Sequence, residues 1–364
     1  MEYIKQDIEQ PGENNSEQAI ESQNESDNGT NGTSKIRGYK IVCAKLGLSM
    51  CVYFICRLLA GFVLMLSGDF LSNLGETAYS LIESFWIILM VYVIPLLFTA
   101  LIFKSFTNYK GKYRELYKKP QRIARALGTF PATYGFGYGI ALLTMLAMFL
   151  ISRSLSGQAY IEELLRPTII EQPTSIVPLL GMVFMLVVIA PVFEEFWVRG
   201  IMYDALKPYG IGIAIIISSI LFGLMHGSLY MLFYTTAYGF ALGYIRYATG
   251  SLFTVTILHA IVNSIGAGAL LFSTLMQITN EENRFINTIT ILYLIAMLVM
   301  VVVGVVVFIS KIPAIRKYRI ENGWTQIGPW KKTALFFISI PVILMMVLAF
   351  NEISGGLLLG LIRS

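Results

Sequence analysis

His226 and His259 are the only histidines of the chain, and each closes or opens a short polar string inside an apolar run, FGLMH and HAIVN. A third string, PVFEEFWVRG, puts Glu194, Glu195 and Arg199 into another apolar run. Ionisable side chains in such surroundings are costly and are functional candidates by default. A carboxylate beside a neutral imidazole, in a pocket that excludes bulk water, suits the activation of a water molecule. A second histidine and an asparagine, here His259 and Asn263, can donate hydrogen bonds to a developing oxyanion. Together these groups describe hydrolysis of an amide without a covalent intermediate. No serine stands in a G-x-S-x-G context, and Cys43, Cys51 and Cys56 all lie far from both histidines, in the first apolar run, where they read as small apolar helix residues.

Helical geometry sorts the polar groups. Glu195 and Arg199 are four apart, with the acid on the N-terminal side, the favourable order for an ion pair on one face. Glu194 points about 100° away from Glu195, so one carboxylate is neutralised while the other stays available. Phe222 with His226, and His259 with Asn263, are likewise four apart and share faces. Reflection of position 194 about the turn near Gly210 falls on position 226, so an antiparallel hairpin brings Glu194 and His226 to a similar depth.

The elements that must position these groups are long and apolar. Hydrophobic residues make up 56% of the chain and charged residues 13%, where soluble domains usually carry about 25% charged residues. About nine spans are expected, with eight as the alternative, near 41–66, 81–103, 133–152, 176–205, 209–226, 229–247, 251–275, 287–310 and 333–350. Most of these have the length and apolarity to cross about 30 Å of hydrocarbon. The expected fold class is therefore all-α, a polytopic transmembrane helical bundle. Gly239 and Gly243 form a G-x-x-x-G pair, whose usual meaning is close helix packing.

Charge divides the chain further. The first 34 residues carry eight acids and one lysine, Lys5, and hold too little apolar surface to order themselves. Segments 104–125 and 311–332 carry eight and six basic side chains against one acid each. With nine spans they fall on one side, and the positive-inside rule places them and the N-terminus in the cytoplasm, with the bilayer expected to be the cell membrane. The organisation read from this is an acidic, disordered tail at 1–37, N-terminal membrane helices at 38–152, a catalytic core at 153–275 and C-terminal membrane helices at 276–364. The partners expected are the lipid bilayer and a peptide or lipidated protein, with no nucleic acid.

In order and spacing, EEFWVR, FGLMH and HAIVN resemble the motifs of the CPBP family of intramembrane proteases, which includes the CAAX prenyl endopeptidases and the Abi and bacteriocin self-immunity proteins. The resemblance covers roughly 176–270. It implies a helical membrane core and proteolysis near the cytoplasmic side of the bilayer. Glu194 and His226 would activate water, His259 and Asn263 would form the oxyanion hole, and Glu195, Arg199 and Phe222 would support the site. Family members have also been described as metalloproteases, which makes Glu194, His226 and His259 an alternative zinc set. No H-E-x-x-H helix is present, and the metal-free mechanism is preferred. Two other readings stay open. A non-catalytic interaction or immunity scaffold would use the same residues without turnover. An ion-coupled transporter would use buried Glu and His as a relay, and the lack of an internal repeat argues against it.

Overall fold

The computed structural model describes residues 17–103, 128–154, 176–278, 283–321 and 329–354. Among them every regular element is a helix: α1 (Glu17–Ser72), α2 (Thr77–Ile102), α3 (Phe130–Ser154), α4 (Ile176–Tyr209), α5 (Ile211–Leu224), α6 (Leu229–Thr249), α7 (Leu252–Ile278), α8 (Arg284–Glu321), α9 (Pro329–Phe337) and α10 (Ile340–Ile353). The protein is a helical membrane bundle. On α8 the outward residues Leu292, Leu298, Val302 and Val306 are all more than half exposed. An apolar face that continuous has lipid as its natural solvent.

Six helices are long and apolar enough to cross a membrane, and a seventh span forms if the bent pair α9–α10, angled by 72°, counts as one. The fifth expected span is the 14-residue helix α5, about 21 Å long and short of the hydrocarbon thickness. It ends where Gly227, at φ 62°, takes the left-handed conformation that lets the chain turn straight into α6. Since α5 and α6 form a hairpin, they contribute two crossings or none, and the sidedness of the later helices is unchanged either way. Of the segments on which the orientation rests, 104–125 lies outside the described residues, as does part of 311–332, and residues 1–16 lie outside them too. α1 begins at Glu17, inside the acidic segment for which composition leads one to expect no order. A helix extended outward from a membrane span avoids the cost of nucleation.

One face of the bundle is tied together by Tyr39, Tyr209 and Lys332. The Tyr39 hydroxyl donates to the Lys332 carbonyl at 2.9 Å, and the Lys332 ammonium donates to the Tyr209 carbonyl at 2.9 Å. The part of α1 around Tyr39, the α4–α5 turn and the start of α9 therefore share that face. Gly239 lets α6 approach α5 closely, because a Cβ there would sit 3.2 Å from the Ser219 backbone and 3.2 Å from the Arg199 guanidinium.

Candidate active site

The chemistry-bearing helix α4 is not uniformly α-helical. Two π-helical segments, Met185–Ile189 and Phe196–Met202, flank the short α segment Ala190–Glu195 that carries both glutamates. Pro191 explains the first. It has no N–H to give to the preceding turn, and its ring crowds the carbonyl four residues back, which a wider turn relieves. In the wider register the Ala190 N–H bonds to the Met185 carbonyl. The next carbonyl, that of Leu186, would receive the N–H of residue 191, which is proline. Asn263 Nδ2, from α7, donates to it instead, at 2.8 Å.

Glu195 and Arg199 pair as the spacing predicts, at 2.9 Å with both side chains fully buried. The pair is part of a larger network. Glu195 Oε1 also faces His259 Nδ1 at 2.8 Å, and Arg199 Nη2 donates to the Gly239 carbonyl at 3.2 Å. With Nδ1–H donated to Glu195, the neutral His259 keeps its lone pair on Nε2. That nitrogen lies 3.9 Å from Glu194 Oε2, too far for a direct hydrogen bond and open to a shared water. The other oxygen, Glu194 Oε1, is 3.4 Å from the Tyr92 hydroxyl of α2.

The structure thus sets Glu194 against His259 and Tyr92, where spacing had set it against His226. The hairpin reflection assumed uniform helices, and α4 departs from one through its two π segments. His226 lies in the turn just after α5, where its Nδ1 donates to the Phe222 carbonyl at 2.8 Å and leaves Nε2 as an acceptor. Phe222 is the apolar hinge of the site. Its ring meets His226 edge-on at 4.9 Å and His259 edge-on at 5.7 Å, and the Arg199 guanidinium lies 4.3 Å above it. Cation–π contact of this kind helps to hold a buried arginine.

Among the described residues, no three His, Cys, Asp or Glu side chains converge as a metal-holding group. Of the alternative zinc set Glu194, His226 and His259, the closest approach is that of Glu194 Oε2 to His259 Nε2, at 3.9 Å. Each histidine does have an outer partner of the sort that orients a ligand, the Phe222 carbonyl for one and Glu195 for the other. Spacing alone had not shown those partners.

Four residues of the neighbourhood escaped the sequence reading. Tyr92 stands in the π segment Ile88–Val93 of α2. Tyr53 and Arg57 of α1 both donate to the Met225 carbonyl, at 2.7 and 3.0 Å, and Arg57 forms an ion pair with Glu352 of α10. The charge of Arg57, inside the first apolar run, was the available signal.

These helices define an integral membrane protein with a buried Glu–His centre. Residues 176–265 match the family model for Type II CAAX prenyl endopeptidase Rce1-like, so that segment is similar to the CPBP/CAAX intramembrane proteases. No curated protein and no solved structure matches the chain. The matched segment runs from the start of α4 into α7, so Tyr53, Arg57, Tyr92 and Glu352 all lie outside it.

Proposed function

We propose that the protein is an intramembrane endopeptidase in which Glu194 activates a water held between its carboxylate and His259. The observation that carries this reading is the buried opposition of Glu194 Oε2 and His259 Nε2 at 3.9 Å, with His259 aimed by Glu195. Glu194 takes the water proton as the hydroxide adds to the scissile carbonyl. The same proton then passes to the leaving nitrogen as the C–N bond breaks, giving a carboxylate and an amine. His226 Nε2 is a further acceptor for the attacking water. The second N–H of the Asn263 amide is the donor left for the oxyanion. No step in this scheme passes through a metal. A prenylated peptide ending in C-a-a-X is the substrate that the family name suggests, with peptide-signal maturation and bacteriocin self-immunity as the other physiological settings.

Purified protein in detergent, given a farnesylated C-a-a-X reporter peptide, tests the reading. Wild type should release the terminal tripeptide, Glu194→Gln should release none at near-normal abundance, and dialysis against a strong chelator should leave turnover intact. Activity retained by Glu194→Gln defeats the mechanism. Activity lost on chelation and restored by zinc defeats its metal-free form.

The cell membrane is proposed as the site of action, with the face that joins Tyr39, Tyr209 and Lys332 as the cytoplasmic one, on the strength of the basic loops 104–125 and 311–332. In a cysteine-free background, an impermeant thiol reagent should miss a cysteine placed at Lys112 and reach one placed at Asn280. Labelling at 112 in intact cells reverses the orientation.

A further inference from the structure

The catalytic helices come from the family segment, but the turn that carries His226 is held from outside it. Met225, Gly227 and Ser228 are buried where α5 passes into α6, so their backbone groups need partners within the protein. Two donors from α1 converge on one of them. The Tyr53 hydroxyl and Arg57 Nη1 both donate to the Met225 carbonyl, and Arg57 Nη1 also donates to the Tyr53 oxygen at 3.0 Å. Arg57 Nη2 pairs with Glu352 Oε1 of α10. On the other side of His226, a Cβ at Gly227 would run into that same Glu352 carboxylate and lie 3.2 Å from Arg57 Nη2. The residues before and after His226 are therefore gripped by one ion pair.

We propose that Arg57 and Glu352 are positioning residues for His226: their ion pair, drawn from α1 and α10, fixes the Met225–Ser228 turn and so aims the imidazole into the site. The proposal rests on the reading of His226 as a site residue, and its test has an arm that does not depend on proteolysis. Arg57 acts through the Met225 carbonyl and Glu352 through Arg57. A buried ion pair that only joins two helices is replaceable by apolar side chains of similar volume at little cost in stability. Arg57 here spends its planar fork on a carbonyl one residue from His226, a use that a methionine cannot reproduce and a lysine reproduces only in part.

Because the chain has two histidines, histidine-selective isotope labelling gives one signal set for each. In nanodiscs, the wild-type His226 ring should show a single Nδ1-protonated tautomer, set by its bond to Phe222. In the Arg57→Met/Glu352→Met double variant the His226 signals should shift and broaden, while those of His259, held by Glu195, stay in place. Tyr53→Phe, which removes one of the two donors and no charge, should move His226 in the same direction by less and guards against misfolding of the double variant. Turnover of the farnesylated peptide should fall by about 10²-fold in the double variant, with KM little changed, the scale of a misplaced catalytic group. Arg57→Lys should recover part of the loss. Unchanged His226 signals in both variants, with only a lower melting temperature, would overturn the clamp. If His226 moves as stated but wild type never cleaves the peptide, the clamp stands and the proteolytic reading is what fails.

Discussion

Two arginines, one fully buried and one partly exposed, sit at the two ends of this site, and each is neutralised by a glutamate in a different way. Arg199 meets Glu195 within α4, four residues away, with both side chains fully buried. Arg57 meets Glu352 between the first and last described helices, with side chains 23% and 15% exposed. The first pair needs only the helix that contains it. The second exists only once α1 and α10 have closed around the α5–α6 turn. The contrast teaches that the Glu195–Arg199 pair is set within one helix, while the turn that carries His226 is held by contacts from α1 and α10.

The sharpest way to break this comparison is to unpair Arg199. Glu195→Gln and Arg199→Ala each leave a charge in a dry interior without its partner, and each should destabilise by about 3–5 kcal/mol, read as a lower melting temperature and lower membrane abundance. Glu195→Gln should also loosen His259, whose Nδ1 would lose its carboxylate. The double variant should cost clearly less than the sum of the singles. Strict additivity would mean that the two groups are not coupled and that Arg199 is held by Gly239 and Phe222 alone.

What was legible in the sequence is what lies within one helix. The pairs 195/199, 222/226 and 259/263 follow from 3.6 residues per turn, and the apolar runs predict the bundle. The exact span count was not legible, because α5 stops short at a glycine turn and α9–α10 bends, features of backbone conformation that hydropathy does not record. Nor was the partner of Glu194. It depends on the π segments beside Pro191 and on a tyrosine from α2, and no spacing rule reaches across helices that are distant in sequence.

Asn263 sharpens the comparison at intermediate size. Sequence motifs assign it to the oxyanion, and the structure gives its amide a second task on the Leu186 carbonyl. Asn263→Ala should therefore do two things: cut turnover by roughly 10²–10³-fold, the scale for one lost oxyanion donor, and destabilise by about 1–3 kcal/mol through the carbonyl left open beside Pro191. Asn263→Gln is the direct comparison, since its amide keeps the donor chemistry but stands one methylene too far out to keep the Leu186 bond. A fall in stability with turnover per folded molecule unchanged would make Asn263 a structural strut between α4 and α7 and nothing more.

The smallest effect is expected at Tyr92, and it asks how self-contained the family segment is. The Tyr92 hydroxyl stands 3.4 Å from Glu194 Oε1, a long contact, while its ring packs on Phe193 at 5.9 Å between centroids. Tyr92→Phe keeps the ring and deletes only the hydroxyl. A hydrogen bond of that length contributes about 1 kcal/mol, so turnover should fall roughly fivefold, with folding unaffected because the ring contact survives. A loss approaching that of Glu194→Gln would show that the hydroxyl stabilises the oxyanion itself. The reacting centre would then extend beyond 176–265 into α2, and the local side of the comparison would fail. No change at all would mean that Glu194 is held by α4 and α7 without help from α2.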